Sequence, residues 1–140
     1  MVRDDHSRAV LAGAGRIAVV SDALCAEAHA CIEALMVAAN QGMQHVMVET
    51  DSQILVKALQ MDEFDRAQGG CVIQRSEVPD GHHAYLASVV HVHRSCNSVA
   101  HELARAGRTR DLDHPAVWVH PLPDFVNALL VRDSAEALVP

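Results

Sequence analysis

The sequence predicts an α/β domain, and two observations lead to this prediction. A short apolar segment at residues 45–50 runs directly into a capped helix, and a further strand pattern follows later, an order typical of α/β folds. The 140 residues are half apolar and 21% charged, which indicates one domain with a core of its own.

The N-terminal third predicts a hairpin and a long helix. Turn residues at positions 4–7 separate a strand stub from a strand predicted over residues 8–17. A helix is predicted over residues 22–41, because Ser21 or Asp22 can cap its start and a glycine follows its end. Its core-facing stripe contains Leu24, Ala28, Cys31, Leu35, Ala38 and Ala39.

Four further segments complete the prediction. A second helix is expected over residues 52–60, a strand over residues 88–94 and a third helix over residues 97–108. Residues 62–88 are rich in glycine and turn residues and match a loop. A short last helix is expected from Pro123 and should bury Phe125, Leu129 and Leu130.

Charge limits the classes of function. A net charge of −7 argues against an ordinary nucleic-acid-binding protein, since phosphate neutralisation needs Lys and Arg. Between His91 and Arg110, however, four arginines accompany a single acid, Glu102, so one face is expected to be locally basic. Nucleic acid therefore stays open as a partner.

The remaining composition indicates compartment and metal use. The four cysteines form no C-x-x-C pair, which favours reduced, mostly buried thiols. His91, His93, Cys96 and His101 leave zinc as an alternative, although their spacing fits no standard finger. No apolar run approaches the length of a membrane span and no signal peptide is evident, so we expect a soluble intracellular protein without a membrane partner.

Two carboxylates stand at positions that suggest chemistry. Glu27 falls on the apolar stripe, three residues after Leu24 and four before Cys31. It must then be paired, protonated or bound to a cation, unless it lies at the stripe's edge and reaches water. Asp51 follows an apolar strand and opens a helix, where open α/β sheets bind ligands, although helix capping is an alternative role. If the two meet, they can share Mg²⁺, the ion of two-metal phosphodiester hydrolysis.

Three segments together resemble the signatures of type-1 ribonuclease H domains, and more narrowly the reverse-transcriptase-like branch common in plants. They are Cys25-Ala26-Glu27-Ala28, Glu49-Thr50-Asp51-Ser52-Gln53 and Arg94-Ser95-Cys96-Asn97-Ser98-Val99-Ala100-His101-Glu102-Leu103-Ala104. The resemblance covers residues 1 to about 110. It implies a ribonuclease H-like, mixed and mainly antiparallel sheet flanked by helices, with residues 111–140 as a C-terminal extension.

The resemblance also implies an activity, which is Mg²⁺- or Mn²⁺-dependent hydrolysis of the RNA strand of RNA–DNA hybrids. Glu27 and Asp51 match the family's metal ligands, and His101 stands at its fourth acidic position, so these three residues are the expected catalytic set. The residues expected to contact nucleic acid are Gln53, Arg94 and Asn97.

The chain departs from the family at its start. The family's first strand carries an Asp that bridges the two metals, and the sequence begins after that point, so we expect the first strand to be missing and cleavage to be impaired. Asp4 and Asp5 belong to the turn and should not replace that Asp. A catalytically dead binding or assembly module is an alternative, and a sequence incomplete at its N-terminus is a third hypothesis. The missing strand would leave an open sheet edge for self-association.

Overall fold

Strands and helices alternate in the computed structural model, which describes residues 1–60, 85–112 and 114–136. The strands are β1 (Val2–Arg3), β2 (Ala9–Ala14), β3 (His45–Thr50), β4 (Tyr85–His91) and β5 (Ala116–Val119). The helices are α1 (Ala23–Asn40), α2 (Gln53–Gln60), α3 (Ser98–Gly107) and α4 (Asp124–Glu136), with a 3₁₀ helix at Arg94–Asn97. The chain divides into a terminal unit, Met1–Ala18 with His93–Pro140, and a central unit, Val19–Val92.

Helix α1 of the central unit forms where the sequence predicts it. Asp22 is its N-cap, and its Oδ1 accepts a hydrogen bond of 2.8 Å from the backbone N–H of Cys25. Just beyond the helix, Gly42 adopts φ +78°, a left-handed conformation that is typical of helix ends. Leu24 is only half-buried, whereas the rest of the predicted stripe is buried. The buried residues are Ala28, Cys31, Leu35, Ala38 and Ala39.

By length and composition alone, α1 could also cross a membrane, which corrects the expectation that no segment is long and apolar enough. The core helix of a folded domain passes the same test. The face of α1 opposite the buried stripe carries His29 and Glu33, both exposed, and His29 lies 3.8 Å from Glu33. Polar residues on one face and buried residues on the other are what a helix packed against a sheet requires.

Strands β3 and β4 form a parallel pair that runs from His45 opposite Tyr85 to Thr50 opposite His91. Helices α1 and α2 pack against this pair. Thr50 is buried, whereas Met47, on the opposite face of the same strand, is 57% exposed. The central unit therefore buries one face of its sheet beneath two helices.

The terminal unit contains an antiparallel sheet with the order β1-β2-β5, in which Leu11 lies opposite Val119 and Ala14 opposite Ala116. Helices α3 and α4 pack against each other, and α3 also contacts β2. The buried core of this unit is Ala12, Ala14, Val99, Leu103, Leu122 and Val126.

The backbone of α3 comes unusually close to the chain segment after β2. A Cβ atom built on Gly107 would overlap the carbonyl oxygen of Gly15 and would lie 3.0 Å from its nitrogen. No side chain larger than hydrogen fits at position 107 without moving the helix. The absence of a side chain at Gly107 thus fixes how the last turn of α3 packs.

The hairpin turn depends on Asp4. Its Oδ1 accepts hydrogen bonds from the backbone N–H groups of His6 at 2.9 Å and Arg8 at 2.8 Å, and its Oδ2 accepts one from Arg8 Nε at 2.8 Å. Ser7 adopts φ +62°, in the left-handed region. These hydrogen bonds hold the pKa of Asp4 below its ordinary value, with the backbone N–H of Arg8 as the largest cause.

Several predicted boundaries are wrong, each for a physical reason. The β2 strand ends at Ala14 rather than at residue 17, because the next position across the ladder is Pro115, which has no N–H to donate. The fourth strand covers Tyr85–His91 rather than residues 88–94, and His93 instead caps the 3₁₀ helix, where its side chain accepts from Ser95 N–H. Most of the predicted loop over residues 62–88 lies outside the described residues.

The C-terminal segment also differs from its prediction. Strand β5 was not foreseen, and α4 is a 13-residue helix rather than a short one. The expected core residue Phe125 is 44% exposed, because the fully buried position is its neighbour Val126. Phe125 packs instead with a ring edge toward Trp118, at 5.3 Å between centroids. The α/β architecture with helices flanking the sheets is confirmed.

Candidate functional site

Asp51 lies directly after β3, where the chain turns into α2. Ser52, the next residue, caps this helix, because its Oγ accepts a hydrogen bond of 3.2 Å from the backbone N–H of Leu55. The N–H of Ser52 in turn donates to Thr50 Oγ1 at 3.1 Å. The helix-capping role that was an alternative for Asp51 therefore belongs to Ser52, and Asp51 itself is half-buried.

Glu27 lies on α1 at the edge of the buried stripe, and its side chain is exposed. The expectation that it faces the core is wrong in this respect, whereas the alternative of a glutamate reaching water from the stripe's edge describes it. Its carboxyl group is nevertheless partly desolvated, and desolvation is the main cause that raises its pKa. The negative charge of Asp51 is the second cause.

The effect of Asp51 on Glu27 identifies a pair of interacting carboxylates. After desolvation, the charge of Asp51 is the second cause that raises the pKa of Glu27, which indicates that the helix residue and the strand-end residue lie in the same part of the central unit. Carboxylate oxygens are the ligands that Mg²⁺ and Mn²⁺ prefer, and a divalent cation would remove the repulsion. The chemistry of the pair fits such an ion.

Gln53 belongs to the same unit as this pair. It is the first residue of α2, it is exposed, and it lies two residues after Asp51. Its amide is therefore free of helix-core packing and can reach a large ligand that approaches the carboxylates.

Arg94, Asn97 and His101 lie in the terminal unit, on or next to the 3₁₀ helix and α3. The Nη2 atom of Arg94 is 3.4 Å from both ring nitrogens of His101. Asn97 is the half-buried N-cap residue of α3, and its side chain makes no capping hydrogen bond. The structure thus brings Arg94 together with His101, whereas Glu27 and Asp51 both belong to the central unit.

Two other candidate metal sites are accounted for by local contacts. Potential ligand atoms of Asp4, Asp5 and His6 lie within 4.8 Å of one another. However, the Asp4 carboxylate accepts hydrogen bonds from backbone N–H groups of the turn, and His6 Nδ1 is 2.8 Å from Asp5. For the zinc alternative, His93 Nδ1 is 2.8 Å from Ser95 Oγ and the His101 ring contacts Arg94. Both groups therefore have structural partners.

Sequence reasoning missed three polar residues near Arg94. Ser95, Ser98 and Arg132 line the same cleft as Arg94 and His101. Ser95 and Ser98 belong to the segment of residues 94–104 that resembles a family signature. Their positions before and at the start of α3 were a signal that could have identified them as candidate binding residues. Arg132 had no such signal, since only the packing of α4 against α3 brings it to this cleft.

The α/β architecture, with sheets flanked by helices, is that of a ribonuclease H-like domain. More narrowly, a family model described as reverse transcriptase-like matches residues 1–107, about three quarters of the chain. The chain therefore belongs to the reverse transcriptase-like family, as its sequence signatures predicted. No curated protein and no solved structure matches it.

Proposed function

We propose that this chain is a nucleic-acid-binding domain that recognises RNA–DNA hybrids, with Glu27 and Asp51 holding Mg²⁺ or Mn²⁺. The observation that carries the proposal is the pairing of a partly desolvated Glu27 with Asp51 in the central unit: desolvation is the main cause that raises the pKa of Glu27, and the charge of Asp51 is the second. A bound divalent ion would activate water and stabilise the leaving oxygen at a phosphodiester. Glu27 and Asp51 would hold the ion, and Glu27 is exposed to solvent.

The distribution of charge supports a division of roles. The terminal unit contains eight arginines and eight acidic residues, whereas the central unit contains three basic and ten acidic residues. The whole net charge of −7 thus falls on the central unit, which contains the carboxylate pair. Arg94 and Asn97 would contact the hybrid from the neutral terminal unit, and Gln53 would contact it beside the carboxylates.

Hydrolysis by this chain is expected to be slow. Glu27 and Asp51 provide two carboxylates, and His101, at the family's fourth acidic position, provides an imidazole rather than an anion. Two divalent ions about 4 Å apart repel each other strongly and need anionic ligands that hold both. We therefore propose strong metal-dependent binding of hybrid with poor turnover.

Glu27→Gln and Glu33→Gln form a matched pair for the test, because both residues are exposed glutamates on α1. Hybrid binding and cleavage are measured for the purified chain and both variants, with Mg²⁺, Mn²⁺ or EDTA. Glu27→Gln should lose the metal-dependent part of binding, and Glu33→Gln should retain it. Equal behaviour of the two variants would refute the metal site. Turnover typical of an efficient nuclease, abolished by Asp51→Asn, would refute the proposed slow hydrolysis.

The alternative is a binding or assembly module without catalysis. Within the residues that the structure describes, β3 pairs with β4 on one side, and Met47 and Ile54 are 57% and 66% exposed. An uncovered strand edge with apolar neighbours favours association between chains. Light scattering at increasing concentration tests this alternative, which predicts a concentration-dependent oligomer and hybrid binding that EDTA does not alter.

A further inference from the structure

A cleft of about 220 Å³ lies within the terminal unit, where residues from the 3₁₀ helix, α3 and α4 meet. Its polar lining consists of Arg94, Ser95, Ser98, His101, Glu102 and Arg132. Three separate elements contribute to it, so the cleft depends on the packing of α4 against α3.

The charges in this cleft favour an anion. Arg94 and Arg132 contribute two guanidinium groups to the lining and Glu102 contributes a carboxylate, whose Oε2 is 4.0 Å from Arg105 Nη1. A neighbouring cation thus partly neutralises Glu102, the acid among the lining residues that the structure describes. The cleft is therefore locally positive in a chain of net charge −7.

Contacts inside the cleft hold one of its arginines in position. Arg94 Nη2 is equally distant, at 3.4 Å, from both ring nitrogens of His101, which places the guanidinium nitrogen over the imidazole ring. An arginine restrained in this way loses less conformational entropy when a ligand binds. Ser95 and Ser98 add two hydroxyl groups to the lining, and Ser95 Oγ lies 2.8 Å from His93 Nδ1.

The size and donor set match a phosphate group. Guanidinium forks pair with phosphate oxygens through two parallel hydrogen bonds. Pockets for whole cofactors or drug-sized ligands usually measure about 300 to 1,000 Å³, so a cleft of about 220 Å³ suits one phosphate with its adjacent sugar.

We propose that this cleft binds one backbone phosphate of a nucleic-acid strand, and that Arg132 is its second cationic contact. Arg132 lies on α4, beyond residues 1–107 that match the family. The C-terminal segment therefore extends the nucleic-acid-binding surface with a residue outside the family's matched region. The identity of the ligand as a strand rests on the proposed function, whereas the cleft itself is testable with inorganic phosphate.

The first experiment uses inorganic phosphate as the probe. Amide chemical shifts of the wild-type chain are followed by NMR during a phosphate titration, together with those of Arg132→Ala and Arg108→Ala. Arg108 is the matched control, because it is an exposed arginine at the end of α3 that does not line the cleft. The amides of Ser95 and Ser98 should shift in the wild type and in Arg108→Ala, and at least tenfold more phosphate should be needed in Arg132→Ala. Absence of these shifts in the wild type would overturn the proposal.

The second experiment uses a labelled RNA–DNA hybrid in EDTA, at several salt concentrations. Arg132→Ala should weaken binding about tenfold. It should also reduce the magnitude of the slope of log K against log[salt] by about 0.9, the value expected for the loss of one phosphate contact. Arg132→Lys keeps the charge and should restore the slope and part of the affinity. Equal affinity and slope for Arg132→Ala and Arg108→Ala would overturn the role of Arg132.

The two experiments separate this proposal from the proposed function. If phosphate shifts the cleft amides in an Arg132-dependent way but no hybrid binds, the anion site stands and the proposed function fails. If hybrid binds and Arg132→Ala behaves as the Arg108 control does, the proposed function stands and this inference fails.

Discussion

Replacing Gly107 with alanine tests how α3 packs in the terminal unit, and so how the helix that presents His101 is held. A Cβ at this position would overlap the carbonyl oxygen of Gly15 and would lie within about 3.1 Å of two further backbone atoms of that residue. Because the obstacles are backbone atoms rather than the end of a flexible side chain, relief requires movement of the helix. Overpacking of this kind costs typically about 1 to 3 kcal/mol.

The helix propensity of alanine offsets at most about 1 kcal/mol of that cost, and less at the last residue of a helix. Because the new Cβ would overlap backbone atoms, the cost should lie near the upper end of this range, and Gly107→Ala should lower the free energy of unfolding by about 2 kcal/mol. For a chain of this size that corresponds to a fall of roughly 6 to 10 °C in melting temperature. Differential scanning calorimetry measures it.

Gly13→Ala is the matched control for this change. Its new Cβ would meet the carbonyl oxygen of Ala116 at 3.4 Å, an ordinary contact, so its melting temperature should stay close to that of the wild type. A Gly107→Ala chain that melts at or above the temperature of Gly13→Ala would show that the approach between Gly107 and Gly15 does not constrain α3.

Three further predictions follow from the hydrogen bonds and charges. Asp51→Asn should lower the pKa of Glu27 toward its ordinary value without reaching it, since desolvation is the larger cause; a ¹³C NMR titration with an unchanged pKa would refute the pairing. Ser52→Ala should lower the free energy of unfolding, measured with urea, by about 1 kcal/mol, because α2 loses its N-cap. An unchanged free energy of unfolding would contradict the capping role. The pKa of Asp4 is lowered in the folded chain, so the ionised carboxylate stabilises the fold above its ordinary pKa of 3.8, and this stabilisation is lost as the pH falls through the lowered value. In Asp4→Asn the melting temperature should therefore fall less on acidification than in the wild type. An equal fall in both chains would contradict this role of Asp4.

The parts of the fold that could be predicted depend on short-range signals. Asp22 and Gly42 are strong capping residues, and they bound α1 to within one residue of its prediction. The strand at His45–Thr50 has the predicted ends, because turn and cap residues flank it. Local chemistry of this kind requires no knowledge of the neighbouring elements.

The parts that could not be predicted depend on partners distant in sequence. The end of β2 is set by Pro115 across the ladder, about a hundred residues away. Strand β5 has only four residues between prolines, and its pairing with β2 is what makes it a strand. Phe125 is a large apolar residue of the kind found in cores, but the buried face of α4 contains the next residue, Val126. Phe125 is therefore exposed and Val126 is buried.

For the candidate site, the sequence identified Glu27 and Asp51 but not their environment. Spacing placed Glu27 on the stripe, and only the packing of α1 against its neighbours decides how much of it reaches water. Spacing likewise left two roles for Asp51, and the hydrogen bond to Ser52 Oγ assigns the capping role to the serine. Arg132 was beyond prediction, because its position depends on how two helices pack.

The packing around Trp118 provides the chain with an internal spectroscopic probe. Trp118 is the sole tryptophan, and it lies in β5 with the Arg110 guanidinium 5.1 Å from its ring and the Phe125 ring beside it. The sole tyrosine, Tyr85, begins β4 in the central unit. The two intrinsic fluorophores are thus divided between the two units, so tryptophan emission follows one unit and tyrosine emission the other. Coincident denaturation curves from the two emissions would mean that both units unfold in a single cooperative transition, whereas separate curves would assign a midpoint to each.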